Sequence, residues 1–161
     1  MWCVLSMCRS LQVLGGEVDA MSLQMSETKR ECVGSERTTE GVRIVVRPTY
    51  EVEKSDPSSR QWLFSYRILV ANEGTEPVQL LKRRWEIVDS HGERESVAGP
   101  GVVGKTPRLK PGEKFEYSSY CPLRTNWGTM EGAYGFKTEG GREFEAEVGR
   151  FILIGPEMRG R

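Results

Sequence analysis

Three glycines, Gly99, Gly101 and Gly104, match the Gly-x-Gly-x-x-Gly spacing that lets a backbone approach a pyrophosphate. That chemistry needs a helix N-terminus directly after the glycines, with its amides facing the phosphates. Pro107 and Pro111 follow instead, together with Lys105 and Lys110, so no such helix starts and a Rossmann site is excluded. A second anion chemistry stays open. Glycines can turn successive amides inward as a nest, with Lys105, Arg108 or Arg94 as cationic neighbours. The alternative is structural: the glycines permit positive φ and close backbone approach in a tight loop between strands. Gly99, Gly101, Gly104 and Lys105 therefore form a candidate anion-binding loop.

Trp127 stands next to Gly128, with Arg124 and Asn126 before it. This is the composition of an interface anchor, so Trp127 and Arg124 are the candidate partner contact. The competing reading folds the indole back over the open end of a sandwich core. Lys82, Arg83 and Arg84 are a basic run whose alternation sends Lys82 and Arg84 to one face of a strand and Arg83 to the face of Trp85. They read either as an anion contact or as a solvated outer face paired with glutamates. Glu143, Glu145 and Glu147 alternate along one strand face, where they shield an edge or face solvent.

No catalytic set emerges. Cys121-Pro122 has no base within local reach, and His91 is the one histidine of the chain. The four cysteines show no CxxC spacing, so a His/Cys metal site is not expected, and neither is a cofactor. A divalent cation held weakly by carboxylate oxygens is the inorganic ligand left open.

The elements that must position these residues are strands. Trp62, Phe64, Tyr66, Ile68 and Val70 fall at period two, as do Val42, Ile44 and Val46 upstream. Leu81, Trp85 and Ile87 mark a third strand, ending at the turn Asp89-Ser90-His91-Gly92. Phe115 and Tyr117 give a short strand after Lys110-Pro111-Gly112-Glu113. Met130, Gly132, Tyr134 and Phe136 form another, closed by Glu139-Gly140-Gly141. Phe144, Ala146 and Val148 begin the last, with Gly149 marking a bulge before Phe151 and Leu153. No helical period is sustained after residue 41. About seven strands without interleaved helices predict an all-β, antiparallel β-sandwich over residues 42–154.

Residues 1–41 read as a disordered N-terminal extension and linker, and residues 155–161 as a C-terminal tail. Met21 and Met25 offer later starts, so part of the extension reads as the product of a misplaced start. The apolar run Trp2-Cys3-Val4-Leu5-Ser6-Met7-Cys8 ends at Arg9, well short of a membrane span. Lysine plus arginine number 23 and aspartate plus glutamate 23, so no global field draws the chain to nucleic acid or anionic lipid. Neither nucleic acid nor membrane is expected as a partner, and the cysteine usage suits a cytoplasmic setting.

Several stretches resemble the ApaG family. They are Pro77-Val78-Gln79-Leu80-Leu81-Lys82-Arg83-Arg84-Trp85, Gly99-Pro100-Gly101-Val102-Val103-Gly104, the run from Pro107 to Tyr117, Gly128-Thr129-Met130-Glu131-Gly132-Ala133-Tyr134, and Phe151-Ile152-Leu153. The resemblance implies an immunoglobulin- or fibronectin-type-III-like sandwich, and a genetic link to magnesium and cobalt homeostasis without a settled biochemical activity. Two positions depart from the family pattern. Arg84 stands where the family usually has His, so a metal role for that His does not carry over. Thr125-Asn126-Trp127-Gly128 replaces a Thr-Pro-x-Gly pattern and sets a large aromatic on a loop tip. The expectation is a non-catalytic module that binds a protein partner, with phosphorylated ligands or divalent cations at the glycine loop as the alternative. Edge strands also allow two copies to pair as a homodimer.

Overall fold

Alternation of apolar and polar residues dictates the first two long strands. A computed structural model describes residues 32–156. In it Val42, Ile44, Val46 and Tyr50 of β2 (Val42–Tyr50) are buried, as are Trp62, Phe64, Tyr66, Ile68 and Val70 of β3 (Trp62–Asn72). These side chains line the inner face of a four-stranded antiparallel sheet in the order β1-β2-β3-β7, with β1 spanning Ser35–Thr39 and β7 Lys114–Leu123. The facing sheet runs β5-β4-β8-β9, formed by Arg94–Pro100, Val78–Asp89, Trp127–Thr138 and Glu143–Ile154. Two residues, Arg108–Leu109, add a short β6 against β4. The chain is thus an antiparallel β-sandwich with nine described strands against the seven expected.

The second sheet needs two irregularities to keep its inner face apolar. In β4 the buried positions are Val78 and Leu80, then Trp85 and Ile87, a change from even to odd numbers. The register against β8 shifts between Leu80 and Lys82, leaving Leu81 as the extra residue that makes this change. In β9, Ala146 and Val148 point inward, then Phe151 and Leu153. Here two residues, Gly149 and Arg150, face Glu131 alone. Gly149 was legible as a bulge; Leu81, read as an inward position in step with Trp85, was not.

The expected linker is corrected at its end. Ser35–Thr39 pairs with β2, and Val33 bridges Ile152 of β9 in the other sheet. The sequence of this strand, Ser-Glu-Arg-Thr-Thr, has no apolar face because it buries little; backbone pairing holds it. Ser35 Oγ donates to the Gly149 carbonyl at 2.6 Å, and a Cβ on Gly149 would lie 2.9 Å from Arg37 Cγ. The bulge glycine therefore makes room for β1 to close the seam between the sheets. Residues 1–31 and 157–161, read as extension and tail, lie outside the described residues. The strand expected around Phe115 and Tyr117 is also longer, running to Leu123 and carrying Cys121 and Pro122 within it.

One polar residue ties the 73–77 loop, β6 and the 110–113 turn together at the opposite end of the core. Asn72 is 1% exposed, yet its amide donates to the carbonyls of Glu76 (2.8 Å) and Leu109 (3.0 Å) and accepts from Gly74 N–H at 3.0 Å. Its backbone also bonds Glu113 and Gly112. A leucine of similar size would keep the volume and strand these groups without partners. Each orphaned buried group costs about 1–3 kcal/mol. We expect Asn72→Leu to lower stability by about 3 kcal/mol in urea unfolding. A loss below about 1 kcal/mol would show that water takes over these bonds.

Candidate functional site

In β8 the residues that point inward are Gly128 and Met130, so Trp127 and Thr129 face out. Across β9 their partners are Ile154 and Ile152, which face out because Phe151 and Leu153 face in. Val33 pairs with Ile152 on the same face. Trp127, Ile154 and Val33 are 44%, 41% and 53% exposed, and they are three of the five exposed large hydrophobic residues among those described. Single exposed apolar residues are ordinary; a contiguous group at one corner is not.

The corner is held rigid from behind. Thr125 is buried, donates to the Trp127 carbonyl at 2.8 Å and accepts from Ser90 N–H at 3.2 Å. Gly155 N–H donates to the Asn126 carbonyl at 2.6 Å. Cys32 Sγ accepts from Ile154 N–H at 3.3 Å, and burial pushes this thiol above its usual range. Trp127 is therefore the first residue of β8 rather than a residue of the loop tip. The end of the core is covered by another indole, Trp62, which is 4% exposed. Arg124 is exposed in the 124–126 loop. Sequence reasoning found Trp127 and Arg124 but missed Ile152, Ile154 and Val33. The run Phe151-Ile152-Leu153-Ile154, apolar on both faces, carried the signal for two of them; Val33, in the supposed linker, carried none.

In the glycine loop three backbone amides are bonded within the chain. Gly101 N–H donates to the Leu81 carbonyl at 2.7 Å, and Val102 and Lys105 exchange both backbone bonds at 2.8 Å. Val103 and Gly104, at φ 45° and 74°, are the centre of this tight turn. The amides of Gly101, Val102 and Lys105 are thus used internally, while the carbonyls of Pro100 and Gly101 accept from Arg83 Nη1 at 2.9 and 2.8 Å. Gly99 lies opposite Arg83 in the sheet, and a Cβ there would meet the guanidinium at an ordinary contact distance of 3.5 Å. Of the cations near the loop, Arg94 pairs with Glu86 and Arg108 with Glu139. Lys105 is exposed.

The remaining candidates are dispersed. Lys82 and Arg84 face outward, and Arg84 lies 3.5 Å from Glu145 across the sheet. Glu143, Glu145 and Glu147 are exposed on β9. His91 is exposed in its turn, and Cys121 is buried in β7 opposite Phe64. Among the described residues no three of His, Cys, Asp and Glu are grouped to hold a metal ion. A cavity of about 210 Å³ lies between the loops at the Asn72 end, where Arg142 bonds both carboxylate oxygens of Glu40 at 3.0 Å. A shallower one of about 280 Å³ lies over Gly135 beside Lys82 and Glu145. No described helix is long and apolar enough to cross a membrane.

Comparison with known proteins matches residues 52–138 to the family model of the ApaG domain. Protein ApaG of Anaeromyxobacter sp. (strain K) is 48% identical over 122 residues, covering 76% of this chain and 96% of that one. Protein ApaG of Brucella anthropi is 46% identical over 121 residues, covering 75% and 93%. The crystal structure of an ApaA protein from Bordetella pertussis is similar at a TM-score of 0.70 and 43% identity, over 73% of this chain and 95% of that one.

Behind the glycine loop, the Tyr117 and Tyr134 hydroxyls bond to each other between the sheets. Burial, and then Tyr117, pushes the Tyr134 phenol well above the ordinary tyrosine range, against the opposing charge of Arg83. The unfolded phenol titrates near pH ~10 while the folded one keeps its proton, so the native state binds more protons above that pH. Stability from this group is full below pH ~10 and falls above it, by about 1.4 kcal/mol per pH unit. In Tyr134→Phe that share of the alkaline slope should vanish in urea unfolding at stepped pH. An unchanged slope would mean that other groups govern it.

Proposed function

Because this chain belongs to the ApaG family, whose resemblance brings no settled activity with it, we propose from its own surface that it is a non-catalytic, cytoplasmic protein-interaction module. The observation that carries the reading is the braced, outward-facing pair of Trp127 and Ile154, continued by Ile152 and Val33. Large apolar side chains exposed together lose surface to water at a cost, and a partner that covers them recovers it. Rigidity adds to this, since little side-chain and loop freedom is left to lose on binding. An exposed tryptophan on a fixed backbone is the residue type that dominates such interfaces.

The alternative is a small-ligand role at the glycine loop, with phosphorylated ligands or divalent cations. It has less support, because three of the loop's amides and four of its carbonyls already have partners within the chain. Calorimetric titration with pyrophosphate, nucleotides, magnesium and cobalt should give flat isotherms. Saturable heat that disappears in Lys105→Ala would favour the ligand reading.

For the interaction itself, Trp127→Ala should weaken retention of cellular partners by roughly thirtyfold, corresponding to about 2 kcal/mol at an anchor residue. Affinity capture from native lysate, compared quantitatively between the natural chain and the variant, measures this. The fold should survive, since the side chain is exposed. Equal retention by both proteins would remove this face from the account.

A further inference from the structure

The two sheets end in β1 and β7 on one side of the sandwich and in β5 and β9 on the other, and three of these margins are closed or guarded. β1 and β9 are joined by the Val33–Ile152 bridge, by Ser35 Oγ on the Gly149 carbonyl and by Glu147 N–H on Thr39 Oγ at 3.3 Å. β5 sets the exposed carboxylate of Glu95 on the inward side, opposite buried Ile87, and ends in Gly99 and Pro100. Inward charge and terminal proline are the devices that keep an edge strand from pairing. β7 is different. Asn72 donates its N–H to the Glu113 carbonyl and accepts from Gly112, so the even-numbered residues of β3 turn their backbone towards β7. They pair with Phe115, Tyr117, Ser119 and Cys121. By the alternation of an antiparallel ladder, the N–H and C=O groups of Lys114, Glu116, Ser118 and Tyr120 point away, where no described residue bonds them. The inward row of β7 carries no charge, and its Phe115 and Tyr117 are only partly buried.

We infer that β7 pairs antiparallel with β7 of a second copy about a two-fold axis at Ser118, joining two four-stranded sheets into one. The register follows from the exposed outer row. About Ser118, Glu116 stands opposite the partner's Tyr120. On each copy Tyr120 is 40% exposed and carries Lys54, whose Nζ lies 5.0 Å from the ring centroid and donates to the hydroxyl at 3.4 Å. Glu116, already held by Arg67, thereby faces a second cation. Other registers fail. An axis at Glu116 sets two carboxylates against each other, and one at Tyr117 sets Lys114 opposite the ring that carries the partner's Lys54. An axis at Ser119 or Tyr120 puts Pro122, which has no N–H, opposite Glu116 or Ser118. About Ser118 the proline falls at the end of the ladder, opposite Lys114. One surface thus supplies both the carboxylate and the cation, as a self-pairing edge requires. The added strand also covers Phe115 and Tyr117. The Trp127 corner belongs to the other sheet, so the dimer presents it twice, and a partner with two docking segments gains avidity.

The test is sedimentation velocity of the full chain from about 10 μM to about 1 mM, a range that suits the weak, transient class of a small edge contact. The natural chain should dimerise within it. Ser118→Glu and Ser118→Lys each place like charges at the axis and should raise the dimer dissociation constant by roughly fivefold or more. An equimolar mixture of the two variants should recover the natural value, because only a two-fold axis at this residue brings the opposite charges together. Both variants should keep the natural urea midpoint, since the Ser118 side chain is exposed. A natural chain that stays monomeric throughout would overturn the proposal. So would a dimer indifferent to both variants, or a mixture no stronger than either alone. Loss of the dimer in Trp127→Ala would place the contact at the apolar corner instead. Capture of random displayed peptides by a monomeric chain, lost in Ser118→Pro, would put an extended segment of another protein in place of the second copy.

Discussion

Trp85 meets Tyr66 across the gap between the two sheets, with ring centroids 5.9 Å apart, and touches Tyr134 at 5.7 Å and Phe151 at 6.0 Å beside it. For this cluster to form, three strands of one sheet and one of the other must each deliver an aromatic ring to the same level of the interior. Strands β3 and β8 do so by plain alternation. Strands β4 and β9 must each change phase along their length, because both of their ends also have to face inward. The two bulges are the means, and each leaves a mark on the surface. The bulge at Leu81 is followed by Lys82 and Arg84 on the outer face and Arg83 on the inner one. The bulge at Gly149 is followed by Ile152 and Ile154 on the outer face. The apolar corner is in this sense a consequence of how the core is filled.

Arg83 shows how an inward-facing charge is accommodated near the sandwich edge. Its guanidinium is partly buried on the side of Trp85 and takes two backbone carbonyls from the 99–101 segment. Glycine at position 101 lets the loop pass the Lys105 carbonyl, which a Cβ would meet at 2.3 Å, and Gly104 takes a positive φ of 74° in the tight turn that follows. Two of the three glycines of the spacing that resembles a phosphate-binding fingerprint are accounted for in this way, one by a close approach and one by a positive φ. Elsewhere the charges are arranged as exposed pairs such as Arg67 with Glu116 and Arg43 with Glu36, each worth little in stability. Their effect is on recognition: a cation that has a carboxylate beside it attracts a partner less than one that has none.

Much of the fold could be read from residue order because its strands bury one face. The alternation in β2, β3 and β8, the turn at Asp89 to Gly92 and the bulge at Gly149 all follow from patterns of apolar residues and glycine. Part of what escaped reading depends on hydrogen bonds instead of burial. Strand β1 has polar residues throughout, and its hairpin turns on Glu40 and Gly41 at φ 47° and 81°, a pair without the strong Asn-Gly or Asp-Gly signature. The far half of β7 was hidden by its polar residues Ser118 and Ser119 and by Pro122, which an edge strand tolerates. At the candidate site, an unusual residue type beside a glycine revealed Trp127. Its neighbours in space come from positions 33, 152 and 154, and only the bulge and the pairing of Val33 with Ile152 bring them together.

That same pairing has a consequence for architecture. Val33 and Ile152 exchange backbone bonds at 3.2 and 2.9 Å, and Cys32 lies against Ile154, so the described chain enters and leaves the sandwich at one place. A folded unit whose ends adjoin can be spliced into a surface loop of a host protein without prising that loop apart. By the same geometry, its ends can be joined by a short bridge and the chain reopened at a distant turn such as Glu139 to Gly141, at the far end of β8 and β9. A graft of this kind would carry the Trp127 corner immediately beside the splice, facing whatever the host holds next to it.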